Sequence, residues 1–221
     1  MNFKFDFDVL NYQEVKPHLY INIYDPDFYV RADRPEPALH TIHGRFRAYY
    51  TVGVKIDGTS LIMHATIGRK LLEEWHITLV DLCHDAMSAM IARDGIEFHT
   101  IIDVIRDIDE PLAEMAEECW PKPSNDCPDL YILTNRTNHR AASLILSPEV
   151  RASIAEELGC GFYACPSSIH EMVIIPNKDD VLNLDDLLGE MVRDINAEYV
   201  SEKEILSDKV IKCDNCGNII G

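Results

Sequence analysis

No apolar run in this chain approaches the roughly 20 residues that a bilayer-spanning helix needs, so no membrane partner is expected. The opening stretch, MNFKFDFDVLNYQEVK, alternates apolar and acidic residues and lacks the basic flank and long apolar centre of a secretory signal. A cytoplasmic protein follows as the expectation. A disulfide framework is also missing. The seven cysteines are odd in number, and Cys83, Cys119, Cys127, Cys160 and Cys165 are scattered through ordinary segments, so reduced thiols are expected. Basic charge is scarce, with 20 Lys and Arg against 38 Asp and Glu and a formal net charge of −18. Such a surface repels phosphates and argues against direct nucleic-acid binding. It predicts either plain solubility or an acidic face that meets a basic protein partner, imitating nucleic acid. The acids crowd between Asp179 and Asp208, where ten Asp or Glu stand against two Arg or Lys.

What is present is globular in makeup: 47% apolar and 26% charged residues over 221 positions, enough for one large domain or two small ones. Up to about residue 47, strand-like pieces at Leu19–Tyr24 and Phe28–Val30 are broken by Pro26, Pro35 and Pro37. Proline offers no N–H to a central ladder, so edge strands or an irregular lead-in are predicted. From Tyr49, two β-rich runs flank Asp57-Gly58, a tight-turn dipeptide, and predict a hairpin with His64 as an ordinary residue of its second strand.

Thr78 followed by Asp81 reads as a capped helix start, and Leu79, Leu82, Cys83, Ala86, Met87 and Met90 recur at helical spacing until Gly95. A second, acidic helix is predicted over Thr100–Ile108, limited by Pro111. CWPKPSNDCPD (119–129) is a loop by composition, LYILT (130–134) a short buried strand, and AASLILS (141–147) either strand or helix. Ser147-Pro148-Glu149 starts a helix that Gly159 ends. Strands at Phe162–Cys165 and Met172–Ile175 form a second hairpin. The next helix carries Leu184, Leu187, Leu188, Met191, Ile195 and Tyr199 on one side and acids opposite, and Lys209–Lys212 is a final strand. The fold class is α+β: a mostly antiparallel sheet drawing strands from both halves, with helices 79–92, 148–158 and 184–199 packed on one face. The expected organisation is an irregular region 1–47, a core domain 48–212 and a C-x-x-C tail 213–221.

Between the strands of the second hairpin lies a polar knot, Ser167-Ser168-Ile169-His170-Glu171. Ser167 or Ser168 with His170 could supply a nucleophile and its base, but no G-x-S-x-G elbow surrounds them. His170-Glu171 begins like H-E-x-x-H, yet position 174 is Ile and the segment reads as strand, so the two-histidine zinc face is absent. The competing reading is structural: Pro166 fixes the turn while Ser and His side chains bond its main chain. Thr134 and Asn135 begin a polar loop, TNRTNHR, at a strand end, where α/β proteins hold ligands. Cys213-Asp214-Asn215-Cys216-Gly217 resembles half a zinc ribbon, and one knuckle supplies two of four ligands. Cys160 and Cys165 could complete it but lack knuckle spacing, two copies could share a site, and tail C-x-x-C pairs also occur without metal. No phosphate loop, nucleotide fingerprint or paired-carboxylate motif is present.

In order, LYILTN, AASLILSPEV, FYACPSSIHEMVIIP, VRDIN and EILSDKVIKCD resemble the bacterial family called domain of unknown function 5688, with its pattern YVLTN, AA-x-x-LY, FYILPSS-[IV]-HE-V-x-I-x-P and VLSD. The hairpin around Asp57-Gly58 and LLEEW with Trp75 extend the likeness to about residues 48–212; the region before it and the C-x-x-C tail depart from the pattern. A fainter likeness links the strand–helix–hairpin end to another uncharacterised bacterial family with a P-x-R-D turn. The resemblance implies a bacterial or mobile-element cytoplasmic setting and no particular activity. Any site it shares would fall on Thr134, Asn135, Ser167, Ser168, His170 and Glu171. The expected function is a non-enzymatic, acidic interaction or regulatory protein. The alternatives are a hydrolase or small-ligand site on the knot, and a zinc-binding adaptor through Cys213 and Cys216.

Overall fold

The computed structural model describes residues 7–29, 36–55, 62–119, 130–166, 168–178 and 184–220. The Asp57-Gly58 turn, the 120–129 loop and Ser167 lie outside the described residues. The chain forms two compact units, Met1–Gly95 and Ile96–Gly221, so a division falls inside the span expected as one core. Each unit has its own antiparallel sheet, where the sequence suggested one sheet shared by both halves.

In the first unit, α1 (Tyr12–Val15) leads through a short 3-10 turn into β1 (Leu19–Tyr24). There follow α2 (Pro26–Tyr29), β2 (Thr41–His43), β3 (Phe46–Lys55), β4 (Ile62–Thr66), α3 (Arg69–Trp75) and α4 (Leu79–Asp94). β3 is the centre: β1 lies along one edge, from Leu19 opposite Val52 to Tyr24 opposite Arg47, and β2 and β4 share the other edge. β1 is thus the edge strand its flanking prolines predict.

Phe28 and Tyr29, expected in a strand, are helical. Pro26 supplies a preset φ at the helix start, and the Asp25 carboxylate and carbonyl accept from the N–H groups of Asp27, Phe28 and Tyr29. The capping box at Thr78 and Asp81 is complete, and α4 buries Leu82, Ala86 and Met90 every fourth residue. Arg93, in its last turn, lies 3.7 Å over the Tyr20 ring and donates to the Pro17 and Leu19 carbonyls, tying α4 to β1.

The second unit runs β5 (Glu97–Thr100), α5 (Ile101–Ile108), α6 (Glu110–Cys119), β6 (Tyr131–Thr134), a 3-10 segment (Ala141–Leu146), α7 (Pro148–Leu158), β7 (Gly161–Cys165), β8 (Met172–Asn177), α8 (Asp185–Tyr199) and β9 (Ile211–Cys213). Its sheet order is β5-β6-β8-β7-β9. AASLILS is neither strand nor α-helix but a 3-10 segment over Ala141–Leu146, whose first two N–H groups donate to the carbonyls of His170 and Ile169. The second sheet is covered on both faces, beyond the one-sided cover expected. Tyr163, Cys165 and Ile175 pack against Leu188 and Val192 of α8, and Phe162 and Ala164, pointing the opposite way, are fully buried too.

The core face of α8 differs from the one its apolar pattern suggested. Leu188, Gly189, Val192 and Asn196 are buried; Leu187, Met191, Ile195 and Tyr199 are exposed. Two contacts set this rotation. Gly189 sits so close to the Asp208 carbonyl that a Cβ there would lie 3.2 Å from it, and the Asn196 amide donates to the buried Ser207 carbonyl at 3.1 Å. Leu188→Ala should therefore lower unfolding stability by about 2–5 kcal/mol, measured by urea denaturation of the full chain. Leu187→Ala, on the same helix, should change it by no more than about 0.5 kcal/mol. Equal effects would contradict the observed rotation.

Candidate functional site

Leu133 pairs with Met172, and Cys165 with Val173, so the end of β6, the end of β7 and the start of β8 share one end of the sheet. The two polar loops predicted separately from the sequence therefore meet. The first is organised by Asn135, which is 1% exposed. Its Oδ1 accepts from Thr137 N, Thr137 Oγ1 and His139 N, and its Nδ2 donates to the His139 carbonyl. Thr134 Oγ1 donates to Asn138 Oδ1 at 3.3 Å. Asn138 and Arg140 adopt left-handed φ values of 49° and 55°, which turn the loop back toward the knot. Thr134 and Asn135 are thus occupied in folding their own loop.

The second loop is held from two sides. Pro166 accepts from Ser207 N, Ser168 bridges Ile205, and Ile169 N donates to the Glu204 carbonyl. On the other side, the His170 carbonyl accepts from Ala141 N at 3.1 Å, and His170 Nδ1 accepts from Arg140 N at 3.3 Å. Ser168 is buried, and its Oγ accepts from His170 N at 3.0 Å. With Nδ1 used as an acceptor, the neutral imidazole carries its proton on Nε2, which stands 3.6 Å from Glu204 Oε1. The His170 ring also meets the His139 ring, with centroids 5.0 Å apart, and Arg140 Nε donates to His139 Nε2. Glu171, half-buried just before β8, is not among these contacts.

The arrangement therefore brings Ser168 and His170 together without forming a nucleophile–base pair. The imidazole nitrogens face Arg140 and Glu204, and the serine oxygen faces main chain. Sequence reasoning missed Glu204, His139 and Arg140 as the partners of His170. The polar run TNRTNHR marked the right loop; Glu204 comes from a distant turn with no local signal.

The C-x-x-C tail forms a tight turn. The Asp214 carboxylate accepts from Asn218 and Cys216 main-chain N–H groups and from the Asn218 amide, and these bonds hold it below the usual carboxylate range. Gly217 has φ 77°, and a Cβ there would lie 2.5 Å from the Arg151 main chain. Arg151 Nε donates to the Gly217 carbonyl, which fastens the turn to α7. A cavity of about 210 Å³ lies between this turn, Gly161 and Asn177. Cys216 is exposed, whereas Cys213 is buried and its thiol is pushed up to about 12 by that burial. Among the described residues no three His, Cys, Asp or Glu side chains are grouped to hold a metal. Two cysteines supply two of the four ligands that a closed zinc site needs.

The fold and the site define an α+β protein whose most conspicuous polar cluster is a hydrogen-bonded junction of loops. The chain belongs to a family of unknown function, DUF5688, whose profile matches residues 2–214. The match takes in the N-terminal region, which the resemblance in the sequence left out, and stops before Cys216. No curated protein and no solved structure matches the chain. Among the described residues no helix is long and apolar enough to cross a membrane.

Burial pushes Cys165 as well as Cys213 up to about 12 from the ordinary value of 9.0. The folded chain thus keeps two protons that the unfolded chain releases nearer pH 9.0. This contribution to stability is full below that value and is lost as pH rises toward 12. In reducing buffer the urea midpoint should fall between about pH 8 and about pH 10.5, and less steeply in the Cys165→Ala, Cys213→Ala double variant. Equal slopes would remove the thiols as the cause.

Proposed function

We propose that this chain is a non-enzymatic interaction protein that binds a basic protein partner through its acidic surface, in a bacterial cytoplasmic setting. One observation carries the non-enzymatic part: Ser168 Oγ and His170 Nδ1 are engaged by neighbouring main chain. A catalytic serine needs its base within hydrogen-bond reach. Here Ser168 Oγ accepts from a main-chain N–H, and His170 Nδ1 accepts from the Arg140 N–H. The choice of partner follows from charge. At −18 the chain attracts cations from a distance and repels nucleic acid and anionic lipid alike.

The meeting of the Asn135–Arg140 loop with His170 favours a second reading, a small-ligand or hydrolytic site bounded by His139, Arg140, His170 and Glu204. The two readings differ in what substitution does. On the first, Ser168→Ala and His170→Ala lower stability by about 1–3 kcal/mol, because each leaves a part-buried main-chain N–H unpaired. Both variants still form the complex that a tagged full-length chain recovers at low salt, and that high salt dissociates. Hydrolysis of an ester, amide or phosphoester panel by the wild-type chain, lost in Ser168→Ala, establishes the second reading and ends the first.

A further inference from the structure

The rotation of α8 that buries Leu188 and Val192 leaves a row of apolar side chains outside. Leu187, Met191, Ile195 and Tyr199 follow one another at every fourth residue and are 55%, 50%, 42% and 76% exposed. At 1.5 Å per residue the row runs about 18 Å along the helix, some three turns. Residues four apart on a helix stack into one ridge, the unit with which a second helix packs. Beside this ridge runs a second one. Glu190, Asp194 and Glu198 each lie three positions after an apolar member, and all three are exposed. The buried seam of α8 borders the apolar ridge on its other side, so the carboxylates form its outer rim. Arg193, the one basic residue in the helix, projects from a different side and faces Asp208 at 3.4 Å.

We propose that the α8 ridge of Leu187, Met191, Ile195 and Tyr199, rimmed by Glu190, Asp194 and Glu198, docks a basic amphipathic helix of the partner protein. This rests on the reading of the chain as an interaction protein and gives that reading a surface. The occupant follows from charge. Two copies packed through this ridge would bring their acidic rims together, on chains that each carry −18. A lipid surface calls for Lys and Arg around the apolar face, the reverse of what α8 offers. A helix with apolar residues at i, i+3 or i+4 and Lys or Arg beside them satisfies both ridges at once: the apolar row is desolvated and each carboxylate gains a cation at the rim.

The test uses the full chain and a fluorescent peptide of about 18 residues, long enough to cover the ridge, with leucines at helical spacing and lysines along the flank. Two control peptides keep its length. One scrambles the same composition, and one replaces lysine by glutamate. Fluorescence anisotropy should show the amphipathic basic peptide binding at least about tenfold more tightly than either control. Met191→Asp should weaken it by a similar factor, since the middle of the ridge is then charged. The triple reversal Glu190→Lys, Asp194→Lys, Glu198→Lys should transfer preference to the glutamate peptide. All the substituted positions are exposed, and thermal melts confirm that the variants remain folded. Equal binding of the scrambled peptide, or binding unchanged by Met191→Asp, overturns the α8 assignment while leaving an acidic interaction protein intact. Binding of no basic peptide even at low salt overturns both. Concentration-dependent dimerisation of the wild-type chain, abolished by Met191→Asp, assigns the ridge to a second copy instead and overturns the basic partner.

Discussion

The Arg140 amide donates to His170 Nδ1, and around that bond three segments far apart in sequence close into one junction. The loop after β6 approaches from one side, the turn at Glu204–Ser207 from the other, and the bend between β7 and β8 lies between them. Each segment carries main-chain groups that the sheet does not satisfy, and burying them unpaired would cost more than any one contact returns. The junction pairs them with one another. Asn135 performs the same service inside its loop, with a single side chain meeting three donors and one acceptor.

This constraint also sets which atoms of the cluster are engaged. A histidine that acts as a base must offer a lone pair to its substrate, and the Nδ1 lone pair of His170 already accepts an amide. Its Nε2 proton points toward Glu204, a geometry that orients the ring and leaves Ser168 without a base. Of the groups that in the sequence resemble a reaction centre, the Ser168 hydroxyl and the His170 imidazole bond main chain at the turn.

Much of the fold was legible because its signals are local. The helix starts at Thr78, Thr100 and Ser147 depend on side chains within four residues of the end they cap, and the stop at Gly159 on a left-handed glycine whose N–H donates to the Glu156 carbonyl. The strands of β6, β7 and β8 are short buried runs whose limits are set by adjacent turn residues. What escaped depends on contacts distant in the chain. The face that α8 buries is fixed by Gly189 against Asp208 and by Asn196 against Ser207, and apolar periodicity alone favoured the neighbouring stripe. β5 is four residues long and becomes a strand by pairing with β6. The two loops of the site were each visible, but their meeting required the register that sets Leu133 opposite Met172, and nothing in the sequence tied Glu204 to His170.

The central claim, that His170 serves the junction, is tested most directly by long-range ¹⁵N NMR of its imidazole in the folded full-length chain. In the neutral ring, a proton on Nε2 and none on Nδ1 is the result expected of an imidazole that accepts the Arg140 amide. A ring protonated on Nδ1 would contradict it, because that nitrogen could then accept nothing and the imidazole would be available for chemistry.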